Sequence, residues 1–339
     1  MEKWIKEIYS EAILAEVLGR YGVQINAVTE LDGFESFIYE YEKDGQDYIL
    51  RVTHCARRTA DMIGGEIDWL NYLVDGGVPA ARVVSSEKGR LVEVLDAPDT
   101  GEADDAYFLA VAFEKAPGTY PSEADWEGGL PDQLGRIMGR MHALTQRYRP
   151  GEPRIRRPSW HDEVAGIAEK YLPPSDKIIV DKFNHLLAYL QELPQDRASY
   201  GLVHTDVHGG NFYVHEGQIT LFDFDDCQYA WFVYDISMAL FYAISHDCMG
   251  EEDVAWARRF FTEFMGGYYQ ENVLDPAWLR QIPYFLKLRE MDLYIIIHRS
   301  FDLDDLDPWC TSFMDRRKYK IEHDIPYVDL DFVQLTEVF

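Results

Sequence analysis

Apolar residues recur at helical spacing in the opening stretch, where Ile5, Ile8, Ile13, Leu14, Val17 and Leu18 share one face before Gly19 and Gly22. That spacing predicts a single helix over residues 5–18. The pattern then shifts to short runs rich in aromatic and β-branched residues. Residues 34–41 and 48–52 flank Lys43-Asp44-Gly45-Gln46, and an Asp-Gly pair between two such runs predicts a hairpin with a tight turn. A new helical period begins at Gly65-Glu66. Three further apolar stretches, residues 82–84, 90–95 and 107–113, complete an expected antiparallel sheet of five strands, with the acidic residues 96–105 as a hairpin tip. The period changes again past residue 118. Leu134, Ile137, Met138 and Met141 fall at i, i+3, i+4 and i+7, and the small Gly135 and Gly139 between them allow close helix packing. Residues 149–158 read as a loop, 163–171 and 177–193 as helices, and 200–203 as a strand. Helical patterns resume from Asp235 through Phe241, then over 254–269 and 284–301, before the acidic run 302–307.

Composition narrows the class. At 339 residues and 47% hydrophobic content, the chain exceeds what one core usually serves, so two lobes are expected. No window of about twenty apolar residues occurs, and the first eight residues lack the apolar stretch of a signal peptide. No membrane association is expected, and the cytoplasm is the expected compartment. Cys55, Cys227, Cys248 and Cys310 lack metal-type pairing, which fits reduced thiols. The formal charge of -28 argues against nucleic acid as a partner, because no basic stripe is present to displace phosphate counterions. It also suits a cationic small substrate such as an amino alcohol or amino sugar. The oligomeric state is left open.

The chemistry concentrates in one segment. Gly201-Leu-Val-His-Thr-Asp-Val-His-Gly-Gly-Asn211 is followed by Leu221-Phe-Asp-Phe-Asp-Asp226. His204-x-Asp206 with Asn211 five residues on has the spacing of a kinase catalytic loop, in which an Asp orients the attacking hydroxyl and an Asn holds magnesium. Residues 218–222 read as a short strand delivering Asp223 to a loop, as a kinase metal ligand requires. Asp206 is the expected base, and Asn211 and Asp223 the expected metal ligands. The same residues admit a rival arrangement. Alternation would place His204, Asp206 and His208 on one face, as a metallohydrolase presents ligands. Gly209-Gly210 and the amide Asn211 count against it.

These motifs resemble the aminoglycoside phosphotransferase and choline kinase superfamily, and within it the bacterial stress-response and homoserine-kinase-like branch. Asp206-Val-His-Gly-Gly-Asn211 and Asp223-Phe224-Asp225 carry the likeness, and Tyr234-Asp235-Ile236-Ser237 resembles the helix start that buttresses the family's catalytic loop. The resemblance implies an α+β, bilobal, protein-kinase-like fold. A small lobe of antiparallel sheet plus helix would span residues 1–113, a hinge 114–118, and a mostly helical catalytic and substrate lobe 119–339. It implies ATP, or GTP, with Mg2+ between the lobes. Ser36, in the loop from Gly33, would cover the phosphates, and Glu114 and Ala116 would meet adenine through their backbones. Arg51 stands where kinases carry a strand Lys. Arg grips phosphate bidentately, and Glu66 on the next helix is its expected partner. Asp225, His208 and the helix over 284–299 would wall the acceptor. Arg289, Arg299 and His298 admit two readings, a grip on an anionic substrate group or pairing with nearby carboxylates.

The expected activity is therefore transfer of a terminal phosphoryl group to a small-molecule hydroxyl. The alternatives are a protein Ser/Thr kinase, which the short run from Asp223 to Asp235 disfavours, and a nucleotide-binding pseudokinase scaffold. Asp206, Asn211 and Asp223 are all present, and only Arg51 keeps the scaffold reading open.

Overall fold

Ser10 breaks the opening amphipathic stretch in two. Its hydroxyl accepts the Ile13 N–H, capping a helix α2 (Glu11–Arg20) that is separate from α1 (Lys3–Ile8). The single helix expected over 5–18 is thereby corrected: apolar spacing continues through the junction, and only the cap marks the break. The computed structural model describes residues 1, 3–97, 106–152, 154–244 and 250–336. The expected hairpin tip at 98–105 and Cys248 lie outside the described residues.

The chain divides into two units. Unit 1 comprises Met1–Gly118, Tyr148–Arg157 and Thr220–Asp225, and unit 2 comprises Thr119–Arg147, Pro158–Ile219 and Asp226–Phe339. In unit 1 the strands are β1 (Val28–Leu31), β2 (Phe37–Lys43), β3 (Gln46–His54), β4 (Val83–Val84), β5 (Glu93–Asp96) and β6 (Tyr107–Glu114), with α3 (Ala60–Asp75) between β3 and β4. They form one sheet of order β1-β2-β3-β6-β4, with β5 also on β6, and every pairing is antiparallel. Six strands stand where five were expected. The missing one, β1, is a half-exposed edge strand and carries too little apolar alternation to announce itself. The expected hairpin is present, with Asp44 and Gly45 both at positive φ, as its tight turn requires.

The near-continuous apolar run of β6 has a physical cause in its two covered faces. Phe108, Ala110 and Ala112 pack with Val17, Leu18, Leu50 and Val52 on one side. The intervening Leu109 and Val111 meet Ile63 and Ile67 of α3 on the other. Alternate side chains leave a strand on opposite faces, so both sets must be apolar when both are buried.

Unit 2 holds α4 (Glu123–Glu127), α5 (Leu130–Thr145), α6 (Trp160–Val164), α7 (Ile167–Tyr171), α8 (Lys177–Gln191), β7 (Tyr200–Val203), β8 (Phe212–His215), the start of β9 (Gln218–Leu221), β10 (Gln228–Trp231), α9 (Phe232–Ala243), α10 (Glu251–Tyr268), α11 (Ile282–Ser300), α12 (Pro308–Met314) and α13 (Arg317–Glu322). The helix expected at 163–171 is two short helices, broken where Gly166 takes a left-handed φ of 73°. Glycine does bring α5 close to a neighbour, which is α10: a Cβ on Gly135 would lie 1.9 Å from the Phe264 carbonyl oxygen, and one on Gly267 2.0 Å from that of Asp132. From Phe232 to Phe241 every residue of α9 is buried, so the helix presents no polar stripe to water. Cys55, Cys227 and Cys310 are free thiols. Among the described residues, no helix is long and apolar enough to cross a membrane.

Candidate active site

In unit 1 the site is built on β3 and α3. Strand β3 carries Arg51 and α3 carries Glu66. Arg51 Nη2 lies 2.6 Å from Glu66 Oε2, and the Glu66 side chain is wholly buried. A charge in that setting is tolerated only when paired. Burial opposes the charge on Arg51, but Glu66 and then Asp225 outweigh it and raise the Arg51 pKa above its ordinary value. The guanidinium also sits 5.3 Å from the Phe113 ring centroid.

The Asp223 loop is set in place by the backbone of the same unit. Leu221 donates its N–H to the Pro79 carbonyl and accepts the Ala81 N–H at 2.9 and 2.8 Å. Two residues on, Asp223 adopts a left-handed φ of 60°, a conformation that non-glycine residues keep where function or surroundings demand it. Its side chain is 54% exposed, with Oδ1 4.0 Å from Arg51. Asp225, expected at the acceptor, is placed among guanidiniums. Its oxygens lie 3.2 Å from Arg57 and 3.7 Å from both Arg51 and Arg58, and its carbonyl accepts from Arg157. Burial would raise the carboxyl pKa; Arg51, Arg58, Arg57 and Arg157 hold it well below the usual range. Sequence reasoning missed Arg57, Arg58 and Arg157. The Arg57-Arg58 doublet directly after β3 was the available signal.

Ser36 is buried, and its hydroxyl shares a 2.8 Å hydrogen bond with Thr53. Gly33 has no room for a Cβ, which would fall 2.1 Å from the Ser36 carbonyl oxygen, so the loop between them is a close-packed turn. Glu114 ends β6 exposed, with its N–H on the Arg82 carbonyl at 2.8 Å, and Ala116 is buried.

In unit 2 the loop following β7 carries Asp206. Asn211 Nδ2 donates to Asp206 Oδ2 at 2.8 Å and to the Asp206 carbonyl at 2.9 Å. With its NH2 so committed, the amide oxygen of Asn211 is directed away from the carboxylate. His208 Nδ1 accepts the Gly210 N–H at 2.9 Å; in the neutral ring this places the proton on Nε2, which faces Asp206 Oδ2 at 3.4 Å. Asp206 Oδ1 faces Arg289 Nη2, also at 3.4 Å. Burial pushes the Asp206 pKa upward, but His208, Arg289 and His204 lower it well below the ordinary carboxylate value.

His204 and His208 each organise the loop, His204 by accepting the Asp206 N–H on Nδ1 at 3.3 Å. The rival metal set therefore commits one ring nitrogen of each histidine, Nδ1, to its own backbone. Beneath the loop Asp235, at the start of α9, accepts the N–H groups of His204 and Thr205 at 3.1 and 2.6 Å. The buttress expected of Asp235 is thus present. Behind it stand two residues the sequence did not single out, His142 and Tyr268. His142 Nε2 meets Asp235 Oδ2 at 3.1 Å, and His142 Nδ1 meets the Tyr268 hydroxyl at 2.9 Å.

An ion pair between a strand Arg and a helix Glu, an Asp on a loop after a short strand, and a His-x-Asp loop closed by Asn define a protein-kinase-like phosphotransferase. The chain belongs to the phosphotransferase enzyme family, whose pattern matches residues 28–272. It is 39% identical over 338 residues to the amicoumacin kinase of Bacillus subtilis (strain 168), covering 99% of each. The solved amicoumacin kinase hAmiN, in complex with AMP-PNP, Ca2+ and Ami, shares 38% identity and a TM-score of 0.90 over 99% of this chain and 100% of that one. A microcompartment-associated aminopropanol kinase, 24% identical, shares the fold with a TM-score of 0.70 over 93% of this chain and 94% of that one. The protein is a kinase whose acceptor is an alcohol group.

Proposed function

We propose that the protein transfers the terminal phosphoryl group of ATP, with magnesium, to a hydroxyl of an amine-bearing small molecule of the amicoumacin type. The observation that carries this reading is the state of Asp206: its carboxylate is held by Asn211 through one oxygen and lies within reach of a cation at the other. A carboxylate so placed accepts the hydrogen bond of an acceptor hydroxyl and aligns its oxygen for attack. The acceptor oxygen forms a bond to the terminal phosphorus, the bond from that phosphorus to the bridging oxygen breaks, and ADP leaves with the bridging electrons. The hydroxyl proton passes to Asp206 and then to solvent. Full-length similarity to an amicoumacin kinase supports the acceptor class, and the net charge of -28 is compatible with an amine.

An amide oxygen at Asn211 and a carboxylate at Asp223 are the donor types magnesium takes, and few protein ligands are needed when phosphate and water oxygens complete its shell. Held by these residues, magnesium would neutralise charge on the phosphates. Arg51, kept in place by Glu66, would hold phosphate oxygens with a bidentate fork. The loop from Gly33 to Ser36 would cover the phosphates with backbone groups, and Glu114 and Ala116 would meet adenine. His208 orients Asp206. Asp225 neutralises its arginines and serves the architecture of unit 1.

The test joins a thermal shift with Mg·ATP and Mg·GTP to ADP release against amicoumacin, amino alcohols, amino sugars, homoserine and a generic protein substrate. Stabilisation by Mg·ATP and acceptor-dependent turnover with amicoumacin are expected. Asp206→Asn should retain the nucleotide shift and lose about two to four powers of ten in kcat. Turnover of that variant at the wild-type rate would remove Asp206 from its role.

A further inference from the structure

The guanidinium facing Asp206 is itself held by three groups. Arg289 lies on α11, its Nη2 3.4 Å from Asp206 Oδ1. One turn along, Asp292 Oδ2 takes Nη1 at 3.0 Å. From α9 the Tyr242 hydroxyl accepts Nε at 3.1 Å and also Nη2. Asp292 is 8% exposed, and the Tyr242 ring packs 4.6 Å from that of His208. These groups all lie in unit 2. Of the two anticipated roles for Arg289, a grip on an anionic substrate group or an ion pair, the structure shows the second, with two carboxylates as partners.

The distances separate an anchor from a working contact. Charge-assisted N–H···O bonds run about 2.7–2.9 Å. Arg289 meets Asp292 near that range but stands off from Asp206. Two carboxylates and a tyrosine hydroxyl therefore hold one planar cation, and the looser contact falls on the carboxylate that must receive the acceptor. Oδ2 of Asp206 is committed to Asn211 and faces His208, so Oδ1 is the oxygen left to meet a hydroxyl. Arg289 is the group that orients it.

Resting on the kinase reading of Asp206, we propose that Arg289, anchored by Asp292 and Tyr242, is a positioning residue for phosphoryl transfer that turns Oδ1 of Asp206 toward the acceptor hydroxyl. The contact matters in the transition state, where the hydroxyl must lie in line with the phosphorus. Misplacing a catalytic group by about 1 Å costs on the order of a hundredfold in rate. Loss of the contact therefore appears in kcat, while nucleotide binding by groups elsewhere is unchanged.

The experiment compares wild-type protein with Arg289→Met, Arg289→Lys, Tyr242→Phe and the paired variant Arg289→Met/Asp292→Asn, which leaves no buried carboxylate stranded. Each is assayed for ADP release with an acceptor the wild type uses, for acceptor KM, and for thermal shift with Mg·ATP. Arg289→Met and the paired variant should lose about ten- to a hundredfold in kcat, with acceptor KM and nucleotide shift within twofold of wild type. Arg289→Lys should recover part of the loss, and Tyr242→Phe should lower kcat at unchanged melting temperature. The proposal is overturned if the folded paired variant keeps kcat within twofold, if the loss falls on acceptor KM alone, or if Arg289→Lys recovers nothing. A wild type with no acceptor-dependent turnover would overturn the kinase reading itself; a working wild type beside an unaffected variant overturns only the role of Arg289.

Discussion

His142 Nε2 lies 3.1 Å from Asp235 Oδ2, and both side chains are wholly buried, 93 residues apart in sequence. The ring stacks on Phe232 with centroids 4.4 Å apart. Its other nitrogen meets Tyr268, whose hydroxyl in turn accepts from Asn272 at 2.9 Å. The direction of this chain assigns the protons: Asn272 donates to Tyr268, Tyr268 to His142, and His142 to Asp235, which accepts the two loop N–H groups. Thr205 needs that support. It is β-branched and held at a left-handed φ of 65°, a conformation such residues seldom keep without external bonds.

Asp235→Asn should therefore damage both fold and rate. The amide carries two donors where three donors converge, so at least one bond becomes a clash of N–H groups. A buried donor left unpaired costs about 1–3 kcal/mol, and the melting temperature should fall accordingly. Because Thr205 and Asp206 are adjacent, kcat should fall with it. Calorimetry beside ADP-release kinetics checks both, and full stability in the variant would show that the network is dispensable.

Arg51→Lys would restore the residue that kinases usually carry at this strand position, yet activity should drop. Lysine supplies a point charge in place of a planar fork, so it can hold Glu66 but loses the approach to Asp225 at 3.7 Å. A rise of about tenfold in nucleotide KM is expected, consistent with loss of roughly 1.4 kcal/mol. Arg51→Met is the harsher change, because it strands the buried Glu66 carboxylate at a cost of about 3–5 kcal/mol. Nucleotide titration and chemical denaturation separate the two effects. An Arg51→Lys variant with wild-type nucleotide KM would show that the fork is not used.

Stability should decline in mild acid, in part through His54. Its ring lies edge-on to Trp4 and Phe108 at 4.9 and 5.0 Å, Nδ1 accepts the Ala56 N–H, and burial lowers its pKa. Unfolded protein takes a proton at this residue below about pH 6.5, and burial moves that uptake to lower pH in the folded protein. Protons bound preferentially by the unfolded state destabilise the fold as pH falls through that value. His298, whose pKa is lowered by burial against the pull of Asp176, acts with the same sign. Melting temperatures measured from pH 7.5 to 5.5 should fall more steeply for the wild type than for His54→Phe. Parallel curves would exclude the residue.

Local chemistry made much of this protein legible. The Asp44-Gly45 turn, the α5 period with Gly135, the strand delivering Asp223 and the spacing of Asp206 to Asn211 are each set within a dozen residues, where backbone preference and side-chain period act directly. What was illegible has equally physical grounds. The Ser10 cap and the Gly166 break interrupt apolar patterns that run on unchanged across them. The edge strand β1 buries too little to show a period.

Residue type at short, regular intervals was enough to mark the loops of Asp206 and Asp223, most of the helices and strands, and the likeness to phosphotransferases. The partners of the charges emerge only from the folded chain. That Asp225 faces arginines, that Arg289 faces Asp206 across 83 residues, and that His142 and Tyr268 stand behind Asp235 follow from packing in the interior. There a charge or buried donor must find a partner wherever the fold brings one near, and sequence separation carries no information about which it will be.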